Sequence, residues 1–411
     1  MREGFFRAVS TAEFTNLLRG FAPLAAETVP LLQARGRVLA ADILAAEDLP
    51  THARAAMDGF AVRAAEVFGA TESNPAYLDL AMDIPIGTLP DTPLGPGQCA
   101  RIVTGALLPQ GADAVVMVEY TEDLGAGAIE MRRPVAPGDN MLFAGEDAAK
   151  GQCVLTAGTR LRPQEIGLLA ALGHERVSVG RAPEVAVLST GDELVPVAAT
   201  PKPGQIRDVN THALSAMIAA AGALPRPAPL VPDDLPGITR ALAEATAAND
   251  VTLLSGGSSV GARDFTLDAL RNLGAEILAH GVALSPGKPT ILARLDGKPI
   301  IGLPGQVTSA QIVMLVFGLP LLAHLAGDPA AFDRPVATFP ALLSRNVASK
   351  QGREDHVRVR LEHRPGQIPL AHPVLGKSGL LKTLLLADGC ITIPADLEGL
   401  AGGIEVPVRP L

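Results

Sequence analysis

Tryptophan is absent from this chain, tyrosine occurs twice, and aromatic residues make up 3% of its 411 positions. Proteins that bind single-stranded nucleic acid stack bases on aromatic side chains, so this class is disfavoured. Positive charge is also scarce, because 34 Lys and Arg stand against 43 Asp and Glu, for a net charge of −9. A general nucleic-acid binder needs a basic surplus to neutralise phosphates. A local basic pocket for a small anion is still compatible with this composition.

Cysteine is rare as well: the three residues Cys99, Cys153 and Cys390 are far apart. No Cys-x-x-Cys occurs, so neither a disulfide framework nor a zinc site is predicted, and a reducing cytoplasm fits. Residues 1–14 lack the apolar core of a signal peptide. The most apolar run, residues 312–323, is too short to span a bilayer and predicts a buried core helix instead.

The first third of the chain has a mixed pattern. A hydrophobic fraction of 48% predicts a large core, and the length is that of about three domains. Helices are expected at 11–18, with Thr11 as N-cap, at 34–42 and at 163–172. Residues 49–145 are rich in Pro and Gly with short β-like runs, which predicts a mostly β region inserted into a helical one.

Strands and helices alternate from residue 181 onwards. Strands are expected at 185–188, 251–254, 290–295 and 299–302, and helices at 211–221, 238–248 and 308–326. This alternation predicts βαβ units and a parallel sheet, with ligands beyond the carboxyl ends of its strands. The loops 189–193, 255–264 and 303–309 share that position. After residue 328, short strands at 355–361, 389–393 and 404–408 predict a small all-β domain.

The loop after residue 254 is the most informative stretch. Its small residues leave backbone N–H groups bare before a helix, which suits a phosphate; they are Ser255, Gly256, Gly257, Ser258, Ser259 and Gly261. Neither the Walker nor the dinucleotide spacing is present. A plain strand-to-helix turn explains the loop equally well. Residues 257–261 also match a Gly-x-Ser-x-Gly nucleophile elbow, although no His-Gly-Gly-Gly segment precedes it.

Three carboxylates flank these loops. Asp192, Glu193 and Asp264 are candidate Mg²⁺ ligands, because hard oxygen atoms beside a phosphate loop commonly hold this ion. Asp264 is equally suited to be a helix N-cap.

Basic residues are the second group of candidates. Lys288 would bring a positive charge into the crevice, or lie in solvent like most lysines. Arg358 and Arg360 alternate along a strand, where they would bind an anion or be solvated. Asp58 with Gly59 is by itself a turn signal.

Taken in order, several stretches resemble the molybdopterin molybdenumtransferases, the family that includes the E domain of gephyrin. They are Met57-Asp-Gly-Phe-Ala61, Arg101-Ile-Val-Thr-Gly-Ala106, Pro109-x-Gly-Ala-Asp-Ala-Val-Val116, Gly145-Glu-Asp147, Ser189-Thr-Gly-Asp-Glu-Leu194, Gly204-Gln-Ile-x-Asp-x-Asn210, the glycine loop with Asp264, Pro286-Gly-Lys-Pro289 and Leu303-Pro-Gly305. The resemblance covers nearly the whole chain and is weaker after Asp328.

The resemblance implies an activity and a fold. Molybdenum from molybdate would enter the dithiolene of adenylylated molybdopterin, with Mg²⁺-dependent release of AMP, to give molybdenum cofactor. The implied fold is α/β and multidomain. Its parts are an elongated helical N-terminal domain (1–48 with 147–180), an inserted mostly β domain (49–146), a three-layer parallel-sheet molybdopterin-binding domain (181–327) and a small β-barrel-like domain (328–411). A cytoplasmic homodimer is implied, with contacts to molybdoenzymes or other proteins of the pathway.

Site residues carry over by motif. Asp58 and Thr104 would face the site from the partner subunit. The catalytic set would be Asp58, Asp192, Glu193, Asp233, Asp264 and Lys288, with Asp264 and Glu193 on the metal. Molybdate would contact Ser259, Lys288, Arg358 and Ser378. The substrate-binding set is completed by Thr104, Ser255, Gly256, Gly257, Ser258, Gly261, Pro289, Pro304 and Gly305.

The chain departs from the family at three positions. Ser285 stands where most members have Lys, Gln306 where they have Asn, and Leu142 where an Arg is expected. Each lost positive charge would weaken a charge-assisted contact by about 1.5–3 kcal/mol. These departures keep a second hypothesis open, a non-catalytic paralogue that binds molybdopterin or a partner protein. The related adenylylation of molybdopterin is disfavoured by the inserted β region.

Overall fold

The computed structural model describes residues 8–256 and 265–411. Contacts within the chain divide it into two compact units. The unit that we call the α/β unit comprises Met1–Val29, Gly36–Ala40 and Ser178–Leu411. The unit that we call the β-rich unit comprises Pro30–Arg35 and Ala41–Val177.

The β-rich unit is built on a six-stranded sheet. Its strand order is Ala114–Met117, Gly59–Val62, Gln98–Ile102, Ala76–Ile84, Ala128–Met131 and Thr121–Asp123. Neighbours are antiparallel except the parallel pair Ala76–Ile84 and Gln98–Ile102. Alternate residues of its strands pack into two different apolar cores. Phe60 and Val116 belong to one core, and Ala61 and Val115 belong to the other. The strands predicted at 60–62, 100–103, 114–118 and 128–131 are confirmed within a residue or two, but the run predicted at 84–86 is wrong, because the strand spans Ala76–Ile84 and ends where that run begins.

Shorter elements complete this unit. Arg54–Ala55 pairs with Met141–Leu142, and Ile43–Leu44 pairs with Cys153–Leu155. Single 3₁₀ turns lie at Leu31–Gln33, Ala64–Glu66 and Val118–Tyr120, and the predicted helix is present at Pro163–Ala171.

The helix predicted at 34–42 is wrong. The 3₁₀ turn ends at Gln33, and Gly36 has φ of +78°, a left-handed conformation that interrupts a right-handed helix.

The α/β unit centres on a mixed six-stranded sheet. Its order is Leu224–Pro227, Glu184–Ser189, Val251–Ser255, Lys298–Leu303, Ile291–Leu295 and Glu276–His280. The first four strands are parallel, as predicted. The prediction is wrong for Ile291–Leu295, which is antiparallel to both neighbours. Asp296 and Gly297, with φ of +52° and +77°, form a two-residue turn that closes a hairpin and reverses the chain.

Helices cover both faces of this sheet. They are Asn210–Ala220, Leu235–Ala248, Phe265–Asn272 and Val307–Leu325, the last with a π-helical turn at Met314–Gly318. Val187 and Leu253 face the core that contains Phe317, and Leu188 and Leu254 face the core that contains Leu242. Period-two alternation in the buried strands thus supplies two apolar layers.

One helix, Val307–Leu325, is long and apolar enough to cross a membrane, but 67% of its apolar window is buried inside the fold. It is therefore the core helix that its apolar run predicts.

The N-terminal helix spans Thr11–Arg19. Its N-cap is Ser10 rather than Thr11: Ser10 Oγ accepts from the Glu13 N–H while the Glu13 carboxylate accepts from the Ser10 N–H, at 3.1 and 2.7 Å. This reciprocal pair is a capping box, so the N-cap lies one residue earlier than predicted, while the helix begins at Thr11 as expected.

The C-terminal strands form a closed five-stranded barrel, which confirms the barrel-like prediction. The order is Glu354–Glu362, Leu370–Pro373, Phe339–Leu343, Glu405–Pro410 and Gly389–Ile393, which pairs back to Glu354–Glu362. A short strand, Leu284–Ser285, pairs with Glu354 and Asp355. Ser285, the position where the family has Lys, therefore lies beside the buried Asp355.

Candidate active site

A cavity of about 940 Å³ lies in the α/β unit where three parallel strands end. Thr190, Gly256 and Pro304 follow those strands directly and line the cavity. This is the predicted place for a ligand in such a sheet.

Two strand ends are joined by the side chain of Asn210. Its amide nitrogen donates to Ser255 Oγ at 2.6 Å and to the Gly305 carbonyl at 2.8 Å. Asn210 is 8% exposed and lines the cavity, and its Oδ1 is buried without a hydrogen-bond partner. Asn210 thus holds two predicted substrate-binding residues in one place.

Gly256 is required by its surroundings. Its φ is +103°, and an added Cβ would lie 2.1 Å from the Thr190 carbonyl oxygen. Only glycine fits where these two strand-end segments pass so closely. This contact explains the glycine by the packing of two strand ends, and the ligand-binding role predicted for Gly256 stays a prediction.

Three acidic residues line the cavity, Glu193, Asp208 and Asp233. Thr190 Oγ1 donates to Asp233 Oδ1 at 3.3 Å. The pKa of Asp233 is raised, first by burial, with further contributions from the negative charges of Asp192, Glu193 and Asp234. Such crowding of like charges is typical of a site that receives a cation or a proton.

The cavity lining can be compared with the predicted Mg²⁺ site. Within 8–256 and 265–411 no group of three His, Cys, Asp or Glu is placed to hold a metal by itself. Mg²⁺ commonly takes one or two carboxylates and completes its shell with water and substrate phosphates. Glu193 and Asp233 both line the cavity, and the predicted role of Glu193 as a metal ligand stays a prediction. Asp192 is exposed beside them and is not part of the cavity lining.

Part of the predicted site lies outside the described residues. It comprises Gly257, Ser258, Ser259, Gly261 and Asp264, and with them the nucleophile-elbow hypothesis and the N-cap alternative for Asp264. Of the remaining substrate-binding set, the residues that line the cavity are Ser255, Gly256, Pro289, Pro304 and Gly305.

Lys288 is exposed and precedes the cavity-lining Pro289. Its backbone carbonyl accepts from the Val282 N–H at 2.9 Å. A Cβ added at the neighbouring Gly287 would come within 2.8 Å of Val313, so packing fixes this turn. The Lys288 side chain is not among those that line the cavity.

Arg358 and Ser378 meet at one loop. Arg358 is 7% exposed, and its Nε and Nη1 are buried without hydrogen-bond partners. Its Nη2 lies 3.4 Å from the Gly376 carbonyl, and burial lowers its pKa. The Ser378 carbonyl accepts from the Thr308 N–H at 3.1 Å. Gly379 of this loop lines the cavity, and Arg360 is exposed, so the two arginines do not share one environment.

Asp58 and Thr104 are paired in the β-rich unit. Asp58 Oδ1 accepts from the Thr104 N–H at 2.6 Å and from its hydroxyl at 2.8 Å. These bonds, the backbone one first, lower the pKa of Asp58. The turn signal at Asp58 is thus also a fixed, exposed carboxylate.

Several cavity residues have no role in the sequence-based site, among them Arg207, Asp208 and Asn210. Asn210 and Arg207 both belong to the Gly204–Asn210 motif, which carries the resemblance but suggests no chemistry by itself. The sequence signal that could have identified them is a cationic and an amide side chain shortly after the acidic loop at 189–193.

Comparisons with known proteins agree along the whole chain. Models described as "MoeA N-terminal region (domain I and II)", "Probable molybdopterin binding domain" and "MoeA C-terminal region (domain IV)" match residues 9–173, 186–324 and 340–411.

Relatives of similar length match as well. Molybdopterin molybdenumtransferase 2 of Mycobacterium tuberculosis is 36% identical, over 96% of this chain and 97% of the relative. Molybdopterin molybdenumtransferase of Bacillus subtilis is 35% identical, over 93% and 89%. A crystal structure of molybdopterin biosynthesis MoeA protein from Pyrococcus horikoshii has a TM-score of 0.84 and 31% identity, over 98% of this chain and 100% of that one. The chain belongs to the molybdopterin molybdenumtransferase family.

Proposed function

We propose that this chain inserts molybdenum, supplied as molybdate, into adenylylated molybdopterin and releases AMP. The observation that carries this proposal is the cavity at the strand ends, where Glu193, Asp233 and the Gly256 turn meet. Family membership supplies the reaction class, and relatives named as transferases favour it over a non-catalytic paralogue.

The phosphate-binding side of the site is the strand-end segment held by Asn210. Ser255 and Gly256 present backbone and hydroxyl groups to the diphosphate of the substrate. The glycine-loop residues Gly257, Ser258, Ser259 and Gly261 would continue this cradle. Pro289, Pro304 and Gly305 bound it from the neighbouring turns.

Mg²⁺ is part of the proposal, with Glu193 and Asp264 as first ligands and Asp192 and Asp233 beside them. When bound, the ion would offset the charge of the diphosphate as AMP leaves. Asp233 would hold a proton or a metal-bound water at this end, and the raised pKa of its carboxyl group supports that role.

Molybdate would bind to Ser259, Lys288, Arg358 and Ser378. Arg358 supports this role, because a buried guanidinium with two unpartnered nitrogens is destabilising unless an anion joins it. An oxyanion would accept from those nitrogens in the way that carboxylates and phosphates do.

The domain organisation proposed is 1–48 with 147–180, 49–146, 181–327 and 328–411, in a cytoplasmic homodimer. Asp58 and Thr104 would complete the site from the partner subunit, and molybdoenzymes or other pathway proteins would receive the product. The fixed geometry of the Asp58 carboxylate supports a functional role for it.

Release of AMP tests the reaction. Purified protein receives adenylylated molybdopterin and Mg²⁺, with and without molybdate. We expect molybdate-dependent AMP that disappears in Asp264→Ala and persists in Asp268→Ala, an exposed carboxylate on the following helix. Tight nucleotide binding without AMP would instead identify the non-catalytic paralogue.

Subunit mixing tests the shared site. Asp58→Ala and Lys288→Ala are each expected to be inactive. In an equal refolded mixture, about half of the dimers contain one subunit of each variant, and one of their two sites has both residues intact. Such mixtures would therefore regain up to about a quarter of wild-type activity. Mixtures that stay inactive while mixed dimers form would contradict a site completed by the partner.

A further inference from the structure

Arg207 is the one cationic side chain among the described residues that line the cavity. The carboxylates of Glu193, Asp208 and Asp233 line the same cavity. A polyanionic substrate placed among these negative charges requires positive charge nearby, and the family's Lys is Ser285 in this chain.

The position of Arg207 is set by backbone pairing to the acidic loop. Leu194–Val195 and Ile206–Arg207 form a parallel pair directly after Glu193. The Ile206 N–H donates to the Glu193 carbonyl at 2.8 Å, and the Asp208 N–H donates to the Val195 carbonyl at 2.9 Å. Arg207 therefore keeps a fixed place beside the carboxylate loop.

The guanidinium of Arg207 is oriented by hydrogen bonds from its Nε atom. Its Nε donates to the carbonyls of Val197 and Ala199 at 2.9 and 3.0 Å. No described carboxylate, in 8–256 or 265–411, forms an ion pair with Arg207. Among the residues that the structure describes, neither terminal nitrogen of Arg207 has a recorded partner, and the planar guanidinium suits two phosphate oxygens.

We propose that Arg207 binds the diphosphate of adenylylated molybdopterin and supplies a positive charge that this chain lacks at Ser285. The inference depends on the proposed function for the identity of the substrate. It does not depend on turnover, because the contact is with the phosphates themselves.

Kinetics give the first test. Arg207→Ala is expected to raise KM for adenylylated molybdopterin by about 10-fold or more, the lower end for a lost charge-assisted bond, with kcat within about twofold. Arg207→Lys keeps the charge but loses the fork, and an intermediate KM is expected. Arg226→Ala is the matched control, because Arg226 is an exposed arginine of the same unit that pairs with Glu184.

Equilibrium binding separates this inference from the proposed function. Calorimetry with Mg²⁺ and inorganic pyrophosphate is expected to show wild-type binding that Arg207→Ala weakens by about 10-fold and Arg226→Ala leaves unchanged. Equal pyrophosphate affinity in Arg207→Ala and wild type would overturn the inference, as would no wild-type binding at all. Absence of AMP release by the wild type, with the expected binding result, would remove the transferase proposal alone.

Discussion

Asn210 donates its side-chain amide to Ser255 Oγ at 2.6 Å, which ties the first residue of a helix to the last residue of the central strand. The same nitrogen also donates to the Gly305 carbonyl. Because a carbonyl only accepts, the amide nitrogen must face Gly305, and Oδ1 is then the atom left buried without a partner. One side chain thus holds two strand ends of the cavity together.

Replacement of this side chain should loosen the site. Asn210→Ala leaves two acceptors without their donor, and we expect a loss of about 1–3 kcal/mol in the free energy of unfolding, measured by urea denaturation. Asn249→Ala is the control, because Asn249 donates one bond to the Ala245 carbonyl at a helix end away from this cavity. Equal effects of the two variants would argue against a special role for Asn210.

A methyl group at Gly256 should displace the turn. Gly256→Ala adds a steric conflict with the Thr190 carbonyl to the energetic cost of a left-handed backbone. We expect the free energy of unfolding to fall by more than about 2 kcal/mol and pyrophosphate binding to weaken. Gly274→Ala isolates the backbone penalty, because Gly274 has φ of +70° and open space at its Cβ. Gly274→Ala should lower the free energy of unfolding by only about 1 kcal/mol. An equally small loss in Gly256→Ala would contradict the steric conflict with Thr190.

Arg358 should lower the stability of the fold while being required for activity. Arg358→Met replaces a buried, largely unpartnered cation with an apolar chain of similar length, so unfolding free energy should rise by about 1–3 kcal/mol. Molybdate-dependent AMP release should fall to background at the same time. The exposed Arg360→Met should change neither quantity much. A strongly destabilised Arg358→Met would show instead that the guanidinium has a structural partner.

Asp233 should make stability depend on pH. Its pKa is raised in the folded protein by burial and by neighbouring negative charge, so folding favours the protonated form. The ionised carboxylate therefore destabilises the fold once pH rises through that pKa, and the penalty vanishes below the ordinary value of 3.8.

Asp233→Asn removes that penalty. The variant should be more stable than wild type at pH 7, with a difference that shrinks as pH falls towards 3.8, measured by denaturant unfolding at several pH values. A difference that grows on acidification would mean that the carboxylate is stabilised by a positive partner.

The secondary structure of the α/β unit follows closely from the sequence. Apolar runs such as 251–254 and the glycine stop after Ala221 mark real elements, since local spacing and turn residues decide them. One error there comes from a local hairpin signal that the prediction did not use, and another from a strand whose pairing is non-local. A run at 291–295 predicts a strand, but its antiparallel direction follows from the Asp296–Gly297 turn, and the strand Leu224–Pro227 has little apolar signal of its own.

The candidate site divides in the same way. By itself, the sequence determined which stretches carry glycine, carboxylate and lysine at strand ends, because those residue types are needed wherever backbone turns sharply beside an anion. Only the tertiary structure showed that Asn210 joins Ser255 to Gly305, that Arg358 is buried with unpartnered nitrogens while Arg360 is exposed, and that Arg207 lies in the cavity. These are contacts between residues up to 95 positions apart, and burial and hydrogen-bond partners across such separations arise from packing rather than from local pattern.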